Sequence, residues 1–138
     1  MEHNLFAGFE ILIAEDNFTN YFLLKELIDL TGAKHFWAKN GIEALDVLIK
    51  HENISLILMD VNMPEMDGIT ATRIIRKKEI TIPIIFQTAD ANEEKRNECI
   101  MAGGNELLIK PINLDNFFIV LQKYLSNSYI PTHEQELN

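Results

Sequence analysis

Four short segments of this chain carry side chains whose chemistry is worth more together than apart. They are the adjacent acids Glu15 and Asp16, the acid Asp60 with Asn62 close behind it, the hydroxyl of Thr88, and the ammonium of Lys110 followed by Pro111. Taken one at a time each has an ordinary reading: Asp16 as a helix N-cap, Glu15 as a solvated charge, Thr88 as a strand-end hydroxyl, Lys110 as a surface lysine. Gathered at one place they would behave differently. Two unit charges about 4 Å apart interact by about 4 kcal/mol at an effective dielectric near 20, so three packed carboxylates demand a cation or a proton. Donors that are all oxygen select a hard ion, and a few carboxylates with room for water suit Mg²⁺.

The elements that would gather them are legible in the apolar pattern. Apolar runs fall at Phe9–Ala14, His35–Ala38, Ile54–Met59, Ile82–Phe86 and Leu107–Ile109. Stretches of helical periodicity lie between and after them, at Asn17–Thr31, Gly41–Lys50, Asp67–Lys78, Asn92–Ala102 and Asn113–Ser126. Continuous apolar runs suit strands buried on both faces, and five strand–helix repeats predict an α/β fold, (βα)5, with a doubly wound parallel sheet between two helical layers. Gly32 stands where a helix C′ glycine would, Asn40-Gly41 and Gly103-Gly104 mark turns, and Asp67 is placed to cap the third helix. In an open parallel sheet ligands bind beyond the carboxyl ends of the strands. Glu15-Asp16, Asp60, Thr88 and Lys110 each follow or end a run, so all should meet at that one edge.

Composition narrows the field. The chain has 138 residues, of which 47% are hydrophobic, enough for one domain with a real core. Twenty-one acidic against twelve basic residues give a net charge of −9, which speaks against a nucleic-acid surface, since phosphate backbones are held by clustered Lys and Arg. Cys99 is the single cysteine, so an internal disulfide and a multi-cysteine metal site are both excluded. No run free of Lys, Arg, Asp and Glu exceeds ten residues, as at Ile80–Ala89, against roughly 20 for a membrane-spanning helix. The amino terminus lacks signal-peptide regions. A soluble, unexported, cytoplasmic protein without membrane contact is expected.

At the assembled edge, three carboxylates, one divalent cation and the Lys110 ammonium are together neutral and would admit a phosphoryl group. Charge developing in its transfer would be stabilised by the metal and Lys110, with the Asp60 carboxylate as acceptor nucleophile. The segments Ile11-Leu12-Ile13-Ala14-Glu15-Asp16-Asn17, Leu58-Met59-Asp60-Val61-Asn62-Met63-Pro64-Glu65-Met66-Asp67-Gly68, Thr88-Ala89 and Lys110-Pro111 resemble the receiver (response regulator) domain of two-component signalling. The resemblance runs from about Glu10 to Leu125.

It implies a flavodoxin-like strand order 2-1-3-4-5, with residues 7–126 as the receiver domain and 127–138 as a polar tail or linker. It implies a phosphoryl group passed from a histidine kinase or histidine phosphotransfer protein to Asp60, with bound Mg²⁺ at Glu15, Asp16, Asp60 and the backbone carbonyl of Asn62. Thr88 would bond the phosphoryl group, Lys110 would pair with it, and Lys110-Pro111 would be cis. Asn62 and Asp90 would set the phosphoryl lifetime. Such a chain catalyses only its own phosphorylation and dephosphorylation. Two positions depart from the common pattern: Glu15 where Asp is more frequent, and Leu107 where an aromatic switch residue often stands. The wording of the acidic and Asp60 motifs resembles hybrid histidine kinases; a stand-alone regulator is the other origin. An aspartate-nucleophile phosphatase and a degenerate receiver that only docks partners are the rival functions.

Outside the motifs, Leu23, Leu24, Leu27 and Leu30 define the expected core face of the first helix, leaving Phe18 and Phe22 facing water one turn apart. They form either a partner-docking patch or incidental exposure, and Pro111 is the third docking candidate. The last helix should bury Leu114, Phe117, Phe118, Leu121 and Leu125, with Val120 and Tyr124 flanking and Ile119 turned away. Its wide stripe fits a broad core contact, or a covering dimer partner or neighbouring domain, equally. His3, His35, His51 and His133 lack ligand spacing and read as solvated or core-edge residues; Trp37 should pack beside the second strand and Cys99 near the core.

Overall fold

The computed structural model describes residues 4–90 and 92–129, the last three by backbone alone. Strands β1 (Glu10–Ala14), β2 (Lys34–Ala38), β3 (Ile54–Asp60), β4 (Ile84–Thr88) and β5 (Glu106–Ile109) alternate with helices α1 (Phe18–Thr31), α2 (Gly41–Lys50), α3 (Gly68–Lys77), α4 (Glu93–Ala102) and α5 (Leu114–Tyr129). All strand pairs are parallel, in the order 2-1-3-4-5, as expected.

Both faces of the sheet are covered, which is why its strands are apolar without alternation. Successive side chains still point to opposite faces. Ile11, Ile13, Leu56, Leu58, Ile85 and Leu108 pack against Leu24, Ile28, Phe117 and Leu121 of α1 and α5. Leu12, Ala14, Ile57, Met59, Ile84 and Phe86 pack against Ala44, Ala71, Ile75 and Cys99 of α2, α3 and α4. This strict division of the strands between two half-cores fixes the direction of every residue at the strand ends.

Helix starts are set by side-chain caps. Asn17, Asn40, Asp67 and Asn92 each accept a hydrogen bond from the amide three residues on, at 2.7 to 2.9 Å. Gly32 closes α1 and Gly103 closes α4, with φ of 81° and 115°, a conformation that favours glycine. The strand β4 starts two residues later than the apolar run Ile82–Phe86, because Pro83 has no N–H for the ladder; its carbonyl instead accepts from Ile57.

Two helical faces differ from expectation. In α1, Leu24 and Leu27 are buried, but Leu23 and Leu30 are 46% and 45% exposed, and Tyr21, Ile28 and Thr31 take the inward positions. Apolar residues are spread around the helix rather than confined to one stripe, so periodicity alone could not choose its rotation. Trp37 on β2 chose it, stacking on Tyr21 with ring centroids 3.9 Å apart and planes within 6°. In α5, Phe117, Leu121 and Leu125 are fully buried and Ile119 is exposed, but Leu114, expected inside, is 52% exposed. It is the first residue of the helix, ahead of the turn where Phe117 enters the core.

His35 lies at the core edge with its Nε2 3.0 Å from the Tyr21 hydroxyl, and His51 packs on the Phe36 ring. Helix α5 runs three residues past Ser126, to Tyr129. His3, His133 and the expected tail from residue 130 onward lie outside the described residues.

Candidate functional site

Side-chain alternation assembles the site. In β1, Ile11 and Ile13 face α1 and α5, so Glu15 follows them; in β3, Leu56 and Leu58 do, so Asp60 follows; in β5, Leu108 does, so Lys110 follows. Three residues distant in sequence thus meet at the carboxyl edge on one side of the sheet. Lys110 Nζ donates to Asp60 Oδ1 at 3.0 Å and to Glu15 Oε1 at 3.2 Å. One carboxylate oxygen from each of Glu15, Asp16 and Asp60 lies within 4.8 Å of the others. Glu15 is buried, Asp60 nearly so, and Asp16 is exposed at the mouth.

The loop carrying the acid pair is held rigidly. The Glu15 amide donates to the Ala38 carbonyl at 2.9 Å, its own carbonyl accepts from Trp37 Nε1 at 2.8 Å, and its Oε2 accepts from the Asn17 amide at 3.2 Å. Asn17, not Asp16, caps α1, which leaves the Asp16 carboxylate for other duty. After Asp60 the chain turns back so closely that a Cβ on Gly68 would collide with the Asp60 carbonyl. Glycine is required there by space rather than by backbone angle.

Charge at the site is out of balance. Burial first, then the Glu15 carboxylate, push the Asp60 carboxyl from 3.8 up to about 6, against the pull of Lys110. Burial draws the Lys110 ammonium down, but its hydrogen bond to Asp60 and the charges of Asp60 and Glu15 carry it above its ordinary value. One ammonium therefore does not neutralise three acids. Oxygen donors alone, two held inside and one at the surface, fit a hard divalent ion such as Mg²⁺.

The remaining expected residues are placed differently. Thr88 follows Phe86 onto the opposite side of the sheet, is buried, and uses its hydroxyl locally. It donates to the Asp90 carbonyl at 3.2 Å and accepts from the Asp90 amide at 3.0 Å. Among the described residues no hydrogen bond joins it to Asp60 or Lys110. Asn62 is exposed and borders, with Asp67, Arg73 and Lys95, a polar groove of about 180 Å³ between α3 and α4. Lys110-Pro111 is cis and Pro111 is exposed. Phe18 and Phe22 are 60% and 46% exposed, 5.9 Å apart, with Trp37 6.0 Å from Phe18.

Two residues at the site escaped sequence reasoning. The Trp37 indole N–H, which ties the acid loop to β2, had no sequence signal. Gln87 had one: it is a lone amide ending an apolar run, and strand register pairs it with Asp60.

Comparison with known proteins gives the family and the fold. Residues 11–122 match the response regulator receiver domain family. The chain is 42% identical over 106 residues to the autoinducer 2 sensor kinase/phosphatase LuxQ of Vibrio vulnificus, covering 76% of this chain but only 12% of LuxQ. It is 36% identical to two-component response regulator 24 of Arabidopsis thaliana, covering 88% of this chain and 86% of that protein. A crystal structure of the receiver domain of a Pseudomonas aeruginosa sensor histidine kinase, with magnesium coordinated in its active-site cleft, superposes with a TM-score of 0.80 at 34% identity, over 87% of this chain and 99% of that one. The Saccharomyces cerevisiae co-crystal of the phosphotransfer protein Ypd1 with the receiver domain of Ssk1 gives 0.85 at 25% identity, over 93% and 96%. Among the described residues no helix is long and apolar enough to cross a membrane. The match over residues 11–122, which spans the edge where Glu15, Asp16, Asp60 and Lys110 meet, shows the family: this chain belongs to the response regulator receiver domain family.

Proposed function

We propose that Asp60 accepts a phosphoryl group from the phosphohistidine of a kinase or histidine phosphotransfer protein, and that the modified domain exchanges partners. The observation that carries this reading is Lys110 held between Asp60 and Glu15, with the three acid oxygens within 4.8 Å of one another. Mg²⁺ would be held by Asp16, Asp60 and the Asn62 backbone carbonyl with Glu15 behind them, and when bound it supplies positive charge to the phosphoryl oxygens.

The chain's own residues do the rest. An ionised Asp60 oxygen attacks phosphorus, the new O–P bond replaces the N–P bond of the donor, and the imidazole departs with that electron pair. Lys110, already on Asp60, is within reach of the incoming phosphoryl oxygens and offsets their charge. Thr88 has to give up its donation to the Asp90 carbonyl to bind the phosphoryl group, and Asp90 shifts with it. A hydrogen bond from a hydroxyl to a charged oxygen contributes about 1.5–3 kcal/mol, whereas inverting a 1:99 population takes about 5.5 kcal/mol. Partner binding supplies the difference. Leu107, lacking an aromatic ring, takes part only by repacking.

Phe18 and Phe22 form the docking patch for the donor, alongside Pro111. The patch begins directly after the acid pair, and the Ypd1 complex of a structural neighbour supports a phosphotransfer partner. The identity to LuxQ, a sensor kinase/phosphatase, supports an origin in a hybrid kinase, and the complete gene would test that.

Incubation with acetyl phosphate and Mg²⁺ followed by intact mass measurement tests the acceptor role. One phosphoryl group is expected on the wild type and none on Asp60→Asn. Steady turnover of para-nitrophenyl phosphate would instead reveal a phosphatase, and a wild type that gains no mass would be a docking module alone.

A further inference from the structure

Beneath the site, on the same side of the sheet, lies a cleft of about 60 Å³ between α1 and the segment after β5. Leu24, Pro111 and Ile112 give it an apolar lining, interrupted by Asn20, Gln87 and Lys110. Gln87 is 1% exposed, and its Nε2 has no hydrogen-bond partner among the described residues. Strand alternation sends it toward α1 and α5, because Ile85 two residues earlier faces that half-core. The Lys110 ammonium has three N–H groups, of which two are used, on Asp60 and Glu15. Gln87 is thus a buried donor in need of an acceptor, the part-exposed Lys110 ammonium borders the same cleft with one N–H not engaged by the two carboxylates, and the apolar walls offer Gln87 little. A buried donor left unsatisfied is costly, and a cleft of this size with several polar groups on its wall has room for an ordered water.

We propose that Gln87 is a positioning residue for Lys110: it holds an ordered water whose oxygen accepts from both the Gln87 amide and the third Lys110 N–H. A water oxygen has two lone pairs, the number these two donors need. The bridge anchors the ammonium from below while the two carboxylates hold it from above. Without it, the part-exposed ammonium loses its hold from below and is free to turn toward bulk water, away from Asp60. The effect on phosphoryl acceptance rests on the acceptor reading above; the bridge itself does not.

A high-resolution crystal structure and the side-chain ammonium NMR signal of Lys110 test the bridge directly. In the wild type, a water within hydrogen-bonding distance of both groups and a slowly exchanging ammonium signal are expected. Gln87→Met keeps the volume and removes the donor; it should lose the water, broaden the signal, and lower the maximal rate of labelling by acetyl phosphate roughly five- to tenfold. The half-saturating acetyl phosphate concentration should change less. Gln87→Glu, which places an acceptor of equal length below the ammonium, should retain the sharp signal and so separates lost anchoring from misfolding. A cleft empty of water at Gln87, or an ammonium signal unmoved in Gln87→Met, would overturn the proposal. If water and signal behave as expected while the wild type takes no phosphoryl group, the bridge stands and the acceptor reading falls.

Discussion

Arg76 and Lys110 are both cations drawn partly inside this domain, and their surroundings are opposite. Arg76, on α3, donates to the Gly103 carbonyl at 3.0 Å, the Ile80 carbonyl at 2.7 Å and Asn105 Oδ1 at 3.0 Å. The same Asn105 oxygen accepts from the Ile84 amide that opens β4. All of these acceptors are neutral, and burial lowers the Arg76 pKa. Around Lys110 the acceptors are carboxylates, and its pKa is raised. The first cluster gives each guanidinium nitrogen a neutral acceptor and clamps α3 to the turn before β5. The second leaves negative charge in excess and an amide unserved, which suits the ion and the phosphoryl group proposed for it. A buried polar cluster that is complete reads as architecture, and one left incomplete reads as function.

Breaking the complete cluster should cause the largest loss of stability. Arg76→Met leaves the Gly103 and Ile80 carbonyls without their charged donor, while Asn105 Oδ1 keeps the Ile84 amide; at about 1.5–3 kcal/mol for such bonds, and allowing for non-additivity, the loss should be about 2–3 kcal/mol. Chemical denaturation measures it, and labelling of Asp60 under folding conditions should be unchanged.

Relieving the incomplete cluster should have the opposite sign. The Asp60 carboxyl titrates near 6 in the folded protein against 3.8 ordinarily. The folded state thus holds that proton more tightly than the unfolded chain. The resulting stabilisation is fully present below about pH 4 and is lost as pH rises through 6. At about 1.4 kcal/mol per unit, Asp60→Asn should stabilise the metal-free protein by up to about 3 kcal/mol at pH 8 and by almost nothing at pH 4. Magnesium should narrow that gap by raising the wild-type melting temperature above pH 7; chelation should restore it. Thermal melts of both proteins across pH, with and without the ion, check the sign.

The smallest effect on stability, and the sharpest on specificity, is expected outside both clusters. Phe18→Ala with Phe22→Ala removes exposed rings whose aromatic contacts are worth under about 1 kcal/mol each. Labelling by acetyl phosphate should be unaltered. Transfer from a phosphorylated histidine phosphotransfer protein should slow severalfold, measured by loss of label from the donor.

Particular residues show where the sequence was legible. Each strand end could be located because apolar runs stop where charge begins, and Glu15, Asp16, Asp60 and Lys110 meet where that rule puts them. Leu23 and Leu30 of α1 were misplaced because a helix with apolar residues spread around it has no preferred rotation until Tyr21 finds Trp37. Thr88 was correctly put at a strand end, but its hydroxyl is engaged with Asp90, since alternation turns it away from the Asp60 side.

The amino-acid sequence by itself determined the order of elements, the doubly covered parallel sheet and the edge at which the acids gather, because these follow from local periodicity and from the need to bury both faces of each strand. Tertiary structure alone decided which way α1 turns, that each Arg76 guanidinium nitrogen finds an acceptor, and that the Gln87 amide nitrogen does not. Those outcomes depend on which groups from distant strands and loops come within about 3 Å of one another, a distance that sequence spacing does not encode.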